Sequence, residues 1–434
     1  MARPTAPQST RGLISRSTTT RRPRASEESS AWEVTKYVAI PYRYLIVGGG
    51  ITADAAVVGI REKDADGRIA VVSEEPFPPY SRPALSKSLF KGGRVEDIWR
   101  SLDYRSAGVD LYLTTRIVSL DPAAHRVADG TGRTFSYQRC LLATGGTPRR
   151  LPHLTEPAIY YRSLSDYFFL MNQAHRARTV AVLGGGFIGA EMAAALTLAG
   201  KKVHQIVPEP GVLHRLVPQD LSTYLTDYYR ESGVQVHSNT TVTGIRRQGA
   251  GAHLMTSAGM EMPFDLVVAG VGLEPRTELA RAAGLHVRDG IVAGPTLETS
   301  APDVFTAGDA ATVFNTTLGR WWRVEHEDNA NRGGALAGRN MAGAHEVFDY
   351  LPLFYSDLFD LGFEAVGRVD SELQTVADWK VPYHSGVVYY LNPAGAVDGV
   401  LLWNTWNRVE AARALIESRT RFVDPADVRG KIPL

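Results

Sequence analysis

Two glycine-rich strings are the parts of this chain whose residue types and spacing most directly suggest chemistry. They are Gly48-Gly49-Gly50-Ile51-Thr52-Ala53 and Gly184-Gly185-Gly186-Phe187-Ile188-Gly189. Each follows a short apolar run that reads as a strand (Tyr44 to Val47; Thr179 to Leu183) and opens a helix-like run (Ala53 to Arg61; Ala190 to Ala199). In that context the first glycine (Gly48, Gly184) allows a tight turn, and the second (Gly50, Gly186) lets backbone N–H groups approach a pyrophosphate. The third position (Ala53, Gly189) must be small so that helix and strand can pack. The anion then sits on the positive end of the helix. A lone string of this kind is often only a glycine-rich turn. Here each is completed by a carboxylate at the end of the next strand-like run, Glu74 and Glu209, placed to accept from the ribose hydroxyls of an adenosine. Two complete units imply two dinucleotides in one protein, and electron transfer between them is the chemistry that needs both.

The elements that must position these residues fit a chain of 434 residues, long enough for two or three domains, with 44% hydrophobic residues and 41 glycines. A net charge of +1 gives no reason to expect nucleic acid or an acidic membrane as partner. The one cysteine, Cys140, excludes an internal disulfide or a Cys-x-x-Cys redox pair and suits a reducing compartment. No apolar run approaches the roughly 20 residues that span a bilayer, so the expectation is a soluble, cytoplasmic protein without a transmembrane segment. The first 26 residues hold six arginines and no acid. They read as a disordered basic arm, taken as residues 1–40, or as a transit peptide, in which case the location is mitochondrial.

After the first unit comes a proline-rich stretch, Glu74 to Lys87; Arg139 to Pro148 reads as a buried strand ending at a Gly-Gly turn. Past the second unit, Leu266 to Gly272 and Asp303 to Ala311 read as strands, the latter with Gly308-Asp309 at its tip. From about Leu351, alternating aromatic and polar residues, including Gly386 to Leu391 and Gly399 to Trp403, favour antiparallel strands. The order predicts an α/β chain whose second dinucleotide domain (156–277) is inserted into the first (41–155 and 278–350), followed by a C-terminal α+β domain (351–434). Trp403 and Trp406 read as C-terminal core.

The two strings, with Ala143-Thr144-Gly145 and Thr306-Ala307-Gly308-Asp309, resemble the flavoprotein superfamily of pyridine nucleotide-disulfide reductases. Within it the chain is most similar to the apoptosis-inducing factor group, with bacterial ferredoxin reductases next. The strings that carry this are Pro78 to Phe90, Gly184 to Ala193, Val207 to Gly211, Gly270 to Ala280, Arg323 to Ala330, Phe354 to Leu358 and Val400 to Arg408. The likeness runs from about Tyr42 to Ser418. It implies two Rossmann-like domains, the first for FAD and the second for NAD(H), with NADPH disfavoured because Glu209 repels a 2′-phosphate, although His214 and Arg215 lie nearby. It departs from the disulfide reductases in having no cysteine where they keep one beside the flavin. Only Asp378 to His384 stands where the animal apoptosis-inducing factors carry a long insertion, so a second NADH site, redox-gated dimerisation and DNA binding are not carried over. Ferredoxin reductases usually have Trp where this chain has His326.

The resemblance also implies roles. Glu74 and Asp309 would hold the FAD ribose and ribitol, Arg82 would reach the FAD, and Lys87 would pair with Glu191 at the flavin edge. Phe187 would stack on the nicotinamide or shield the flavin, its bland alternative being a core aromatic. Glu325 and His326 would contact the flavin, with a structural histidine as the alternative, Tyr355 and Glu364 would line the nicotinamide pocket, and Ile188 and Gly272 are further cofactor-binding candidates. Lys87, Glu191 and His326 are the candidate catalytic residues; no metal is expected. The expected reaction is hydride transfer from NADH to flavin, with oxygen, a quinone or a ferredoxin taking the electrons. The alternatives are a slow, NADH-responsive redox sensor that binds partners, and an oxidase with a vestigial second site. A homodimer is a further expectation.

Overall fold

The computed structural model describes residues 39–152, 154 and 157–434, so the arm expected at 1–40 lies almost wholly outside the described residues. Ile40 already begins the first strand, Ile40–Val47, four residues ahead of the expected Tyr44. That strand is central in a sheet ordered Val109–Tyr112, Ile69–Val72, Ile40–Val47, Thr134–Leu142, Arg126–Asp129, Ile117–Asp121. Neighbours pair in parallel from Val109–Tyr112 through Thr134–Leu142; the last two strands are antiparallel. Ile69–Val72 (IAVV) is buried at every position, as expected of a parallel strand covered on both faces. Thr134–Leu142 is long enough to serve two partners on one side. Its start pairs Arg126–Asp129, and its end takes Val304–Thr306 in parallel.

A second sheet is wholly parallel, in the order Gln235–His237, Lys202–Ile206, Thr179–Leu183, Leu266–Ala269, Ala158–Tyr160. All its strands fall in sequence between Thr134–Leu142 and Val304–Thr306 of the first sheet, so one doubly wound unit is threaded into the other. The chain passes between them along a two-stranded ribbon, Gly146–Pro148 antiparallel to Leu273–Pro275. The expected run Asp303 to Ala311 is divided by a 3-10 turn at Gly308–Ala310, and Ala311–Asn315 enters a separate small sheet. The C-terminal part is a five-stranded antiparallel sheet, ordered Leu353–Leu358, Leu361–Gly367, Val397–Trp403, Ser385–Leu391, Gln374–Val381, with helix Val409–Glu417 against it. The antiparallel strands expected there are present, and two of the three inner ones, Ser385–Leu391 and Val397–Trp403, are buried almost throughout because apolar side chains cover both faces. Trp403 is core, but Trp406 is 48% exposed, correcting its assignment to the interior. It follows the strand end and lays its ring over Gly362 from the surface.

Helix Ile51–Arg61 packs along helix Glu327–Met341 at a separation only glycine permits. A Cβ on Gly59 would stand 2.0 Å from the Ala335 carbonyl oxygen, on Gly334 2.4 Å from that of Thr52, and on Gly338 2.1 Å from that of Ala56. This fixes the N-termini of both helices toward one end of the sheet. Gly338→Val is expected to destabilise the protein by at least about 3 kcal/mol, since the obstacle is backbone rather than a movable side chain. The midpoint of chemical unfolding measures it; an unchanged midpoint would show that the helices can part without cost. Among the described residues, no helix is long and apolar enough to cross a membrane.

Candidate functional site

Both glycine strings open on one cleft of about 1410 Å³. Gly50 and Gly186 are the N-caps of Ile51–Arg61 and Phe187–Leu198, and neither helix has a side-chain cap, so their first N–H groups are available to an anion. A Cβ on Gly186 would meet nothing within 4 Å, and one on Gly50 only an Arg82 guanidinium nitrogen at 4.0 Å, so the space a side chain would fill is open. Gly48 and Gly184 work differently. Their φ values are +121° and +107°, and a Cβ would strike the carbonyl oxygens of Ala143 at 2.1 Å and Gly270 at 2.3 Å. Each glycine thus presses its turn against the end of a neighbouring strand. Gly189 is pressed on the Gly184 carbonyl, where a Cβ would lie at 2.2 Å, and Ala53 is fully buried. Ala53, Gly184 and Gly189 do not line the cleft; they support the turns that do.

Between the two cradles lies an ion pair. Lys87 Nζ is 2.6 Å from Glu191 Oε1, with side chains 12% and 3% exposed. The hydroxyls of Ser86 and Ser356 each donate to Glu191 at 2.6 Å, so this nearly dry carboxylate receives three short hydrogen bonds. Glu191 stands one helical turn beyond Phe187, and the two share the face of Phe187–Leu198 that meets the C-terminal sheet. Lys87 Nζ also lies 5.1 Å from the Tyr355 ring centre, and Tyr355 is 42% exposed at the cleft rim.

The opposite wall begins at the N-terminus of Glu327–Met341, where His326 is the N-cap. Its ring stacks on Phe354 with centres 4.2 Å apart and meets Phe187 edge-on at 5.9 Å. Burial pushes the imidazole down to about 4, so it is neutral through the physiological range. Burial also raises the adjacent Glu325 carboxyl, against the Arg323 guanidinium 2.5 Å away. The linkage has a definite sign. Between pH 6.5 and 4 the unfolded chain protonates this histidine and the folded protein does not, so the stabilising contribution is complete above 6.5 and is lost as pH falls through that window. His326→Asn should therefore flatten the loss of stability between pH 6.5 and 5 relative to the parent. Parallel unfolding curves for the two proteins would place the histidine in contact with water instead.

Asp309 lines the cleft and accepts from Arg162 at 2.7 Å. Arg82, beside it, is held by Glu75 at 2.7 Å and by the Arg162 carbonyl at 3.1 Å. Burial alone would raise the Glu75 carboxyl, but Arg82 and the Tyr80 hydroxyl bring it below the usual carboxylate range. The exposed Glu74, expected at a ribose, lines the cleft and pairs with Arg276. Gly145, Ile188 and Gly272 also line the cleft.

Besides Ala53, Gly184 and Gly189, two further expected residues do not line it. Glu209 is bound by Arg215 at 2.7 Å, and Glu364, cross-strand from Tyr355, has a buried Oε2 without a hydrogen-bond partner and a carboxyl raised by burial. Glu209 pairs with a cation six residues along the chain; Glu364 shares the sheet face of its opposite partner Tyr355 but lies one strand further in from the edge strand Leu353–Leu358. Sequence reasoning missed Glu75, Ser86, Arg162, Arg276 and Ser356. Ser86 and Glu75 were legible as neighbours of Lys87 and Glu74, whereas Arg162 and Arg276 reach partners 147 and 202 residues away. Among the described residues, no His, Cys, Asp and Glu group could hold a metal ion.

The family described as pyridine nucleotide-disulphide oxidoreductases matches residues 42–334, and the C-terminal region of the mitochondrion-associated apoptosis-inducing factors matches 337–382. The mitochondrial apoptosis-inducing factor 1 of Dictyostelium discoideum is 31% identical over 459 residues, covering 96% of this chain and 86% of its own. The ferredoxin–NAD(+) reductase component of the anthranilate 1,2-dioxygenase system of Burkholderia cepacia is 32% identical, covering 86% and 93%. Among solved structures, a covalent putidaredoxin reductase–putidaredoxin complex superposes with a TM-score of 0.82 at 28% identity, over 87% of this chain and 93% of that one.

Proposed function

The chain belongs to the pyridine nucleotide-disulphide oxidoreductase family, in its apoptosis-inducing-factor-like branch close to the ferredoxin reductases, and from that premise we propose that it oxidises NADH through FAD and passes the electrons to a ferredoxin-type carrier. It is an FAD-dependent NAD(P)H oxidoreductase; the carrier and the preference for NADH are the proposed part. In this reading 41–155 and 278–350 hold FAD, 156–277 hold NAD(H), and 351–434 close the nicotinamide side. The observation that carries it is the pair of uncapped helix N-termini, at Gly50 and Gly186, opening on one cleft with the Lys87–Glu191 pair between them. With one cysteine in the whole sequence, and that one buried with its thiol pushed far up by desolvation, this member works without a redox disulfide.

When bound, the flavin supplies the hydride acceptor and the means of passing electrons on singly. The chain's own residues position and insulate. The glycine cradles hold the two diphosphates on helix dipoles, Phe187, His326 and Phe354 wall off water, and the ammonium of Lys87 favours negative charge where the rings meet. Residues that hold both cofactors in one cleft would avoid an encounter entropy worth up to roughly 7–11 kcal/mol. The ferredoxin-type carrier is supported by the coverage of the Burkholderia reductase and the putidaredoxin reductase fold. A slow, NADH-responsive partner-binding role is the second reading, for a chain similar over 96% of its length to a protein named apoptosis-inducing factor 1. Anaerobic reduction by NADH, then mixing with a ferredoxin, a quinone or oxygen, decides between them. Fast reoxidation by ferredoxin supports the first, and a long-lived reduced complex with every acceptor supports the second. A higher kcat/KM with NADPH would remove the nucleotide preference.

A further inference from the structure

We propose that Arg276 is a clasp for the adenosine half of FAD, acting with Glu74 as one unit; this rests on the first cradle holding FAD. The guanidinium of Arg276 pairs with Glu74 Oε1, although the two residues are 202 positions apart, and both line the cleft. The backbone of Arg276 is anchored independently. Its N–H donates to the Gly145 carbonyl at 2.9 Å, and its carbonyl accepts from the Thr144 hydroxyl at 2.7 Å. Thr144 and Gly145 continue from Ala143, the residue against which Gly48 is pressed. Arg276 is therefore tied to the turn that shapes the first cradle, and its side chain reaches over to the carboxylate beside it.

The electrostatics give the clasp a purpose. A carboxylate next to a bound diphosphate adds negative charge to a site that already holds two, and a guanidinium fixed on one oxygen offsets it. The Glu74 carboxylate has lone pairs enough to accept from a ribose hydroxyl while keeping the arginine. Because Arg276 directly follows the ribbon Leu273–Pro275, on the chain's return from the second unit, the clasp closes the adenosine end with a residue from outside the first βαβ unit. Neither composition nor the glycine string signals it, since the contact exists only when the ribbon is formed.

The test uses the full chain, stripped of flavin and titrated with FAD and, separately, with FMN, which lacks the adenosine; binding is read by quenching of flavin fluorescence. Arg276→Ala should weaken FAD by about fivefold, the scale for a partly exposed ion pair supplemented by a lost countercharge, and leave FMN unchanged. In a Glu74→Gln background the same substitution should cost under about twofold, because the two act together. Arg276→Lys, which keeps the charge without the fork, should fall between, and it carries the test if the alanine variant does not fold. Unchanged FAD affinity in Arg276→Ala, an equal loss for FAD and FMN, or fully multiplicative effects with Glu74→Gln would each overturn the clasp. Failure of the parent chain to bind FAD at all would instead sink the functional reading on which it rests.

Discussion

Gly186→Val is expected to yield a yellow protein that NADH no longer bleaches. The position has unusual room: an added Cβ meets nothing within 4 Å, so folding should survive and only the space beside the second helix N-terminus is lost. A diphosphate kept from those N–H groups forfeits at least two charge-assisted hydrogen bonds of about 1.5–3 kcal/mol each, which corresponds to 100-fold or more in nucleotide affinity. Gly50→Val is the mirror experiment. Its Cβ is nearly as free, and it should give a folded but colourless protein. Titration of each variant with flavin and with NADH separates the two sites. A Gly186→Val protein reduced by NADH at the parent rate would show that the second cradle does not hold the nicotinamide nucleotide. By contrast, the same change at Gly48 or Gly184 would fail for a structural reason, a collision with a carbonyl oxygen at 2.1 or 2.3 Å, and would report nothing about binding.

Lys87→Met should slow flavin reduction by NADH by about 100-fold, the lower end of what is ordinarily lost with one positioned charge-stabilising group, and lower the flavin potential. It should also destabilise the protein by about 3 kcal/mol, because Glu191, 3% exposed, is left with two serine hydroxyls and no countercharge. The double variant Lys87→Met/Glu191→Gln separates these effects. Removing the orphaned charge should restore most of the stability, while the rate and the potential stay low. If Lys87→Met alters neither rate nor potential, the ion pair is structural only. If the double variant recovers rate along with stability, the lysine acts by keeping the site folded.

How much of this was legible beforehand differs by element. The two glycine strings carried their own strand and helix context, and the structure places a strand before each and a helix N-cap at Gly50 and Gly186. Turn geometry is a local requirement, fixed by a few dihedral angles and the absence of a Cβ, so residue types report it directly. The insertion of one sheet into the other was also readable, since parallel strands need long crossovers and the strand-like runs came in that order. The alternation over Gly386–Leu391 did mark an antiparallel strand, but it says nothing of burial, because that strand is covered on both faces and buries every position after Ser385.

What the sequence by itself determined is the inventory: two anion cradles, one cysteine, and candidate charges around them. The family resemblance implied one pairing, Lys87 with Glu191, and only the tertiary structure decided the others and added two serines from different segments to that one. Glu74 goes to Arg276, Asp309 to Arg162 and Glu209 to Arg215. An ion pair demands approach within a few ångströms, and that distance is set by how the ribbon, the two sheets and the C-terminal strands dock, not by spacing along the chain.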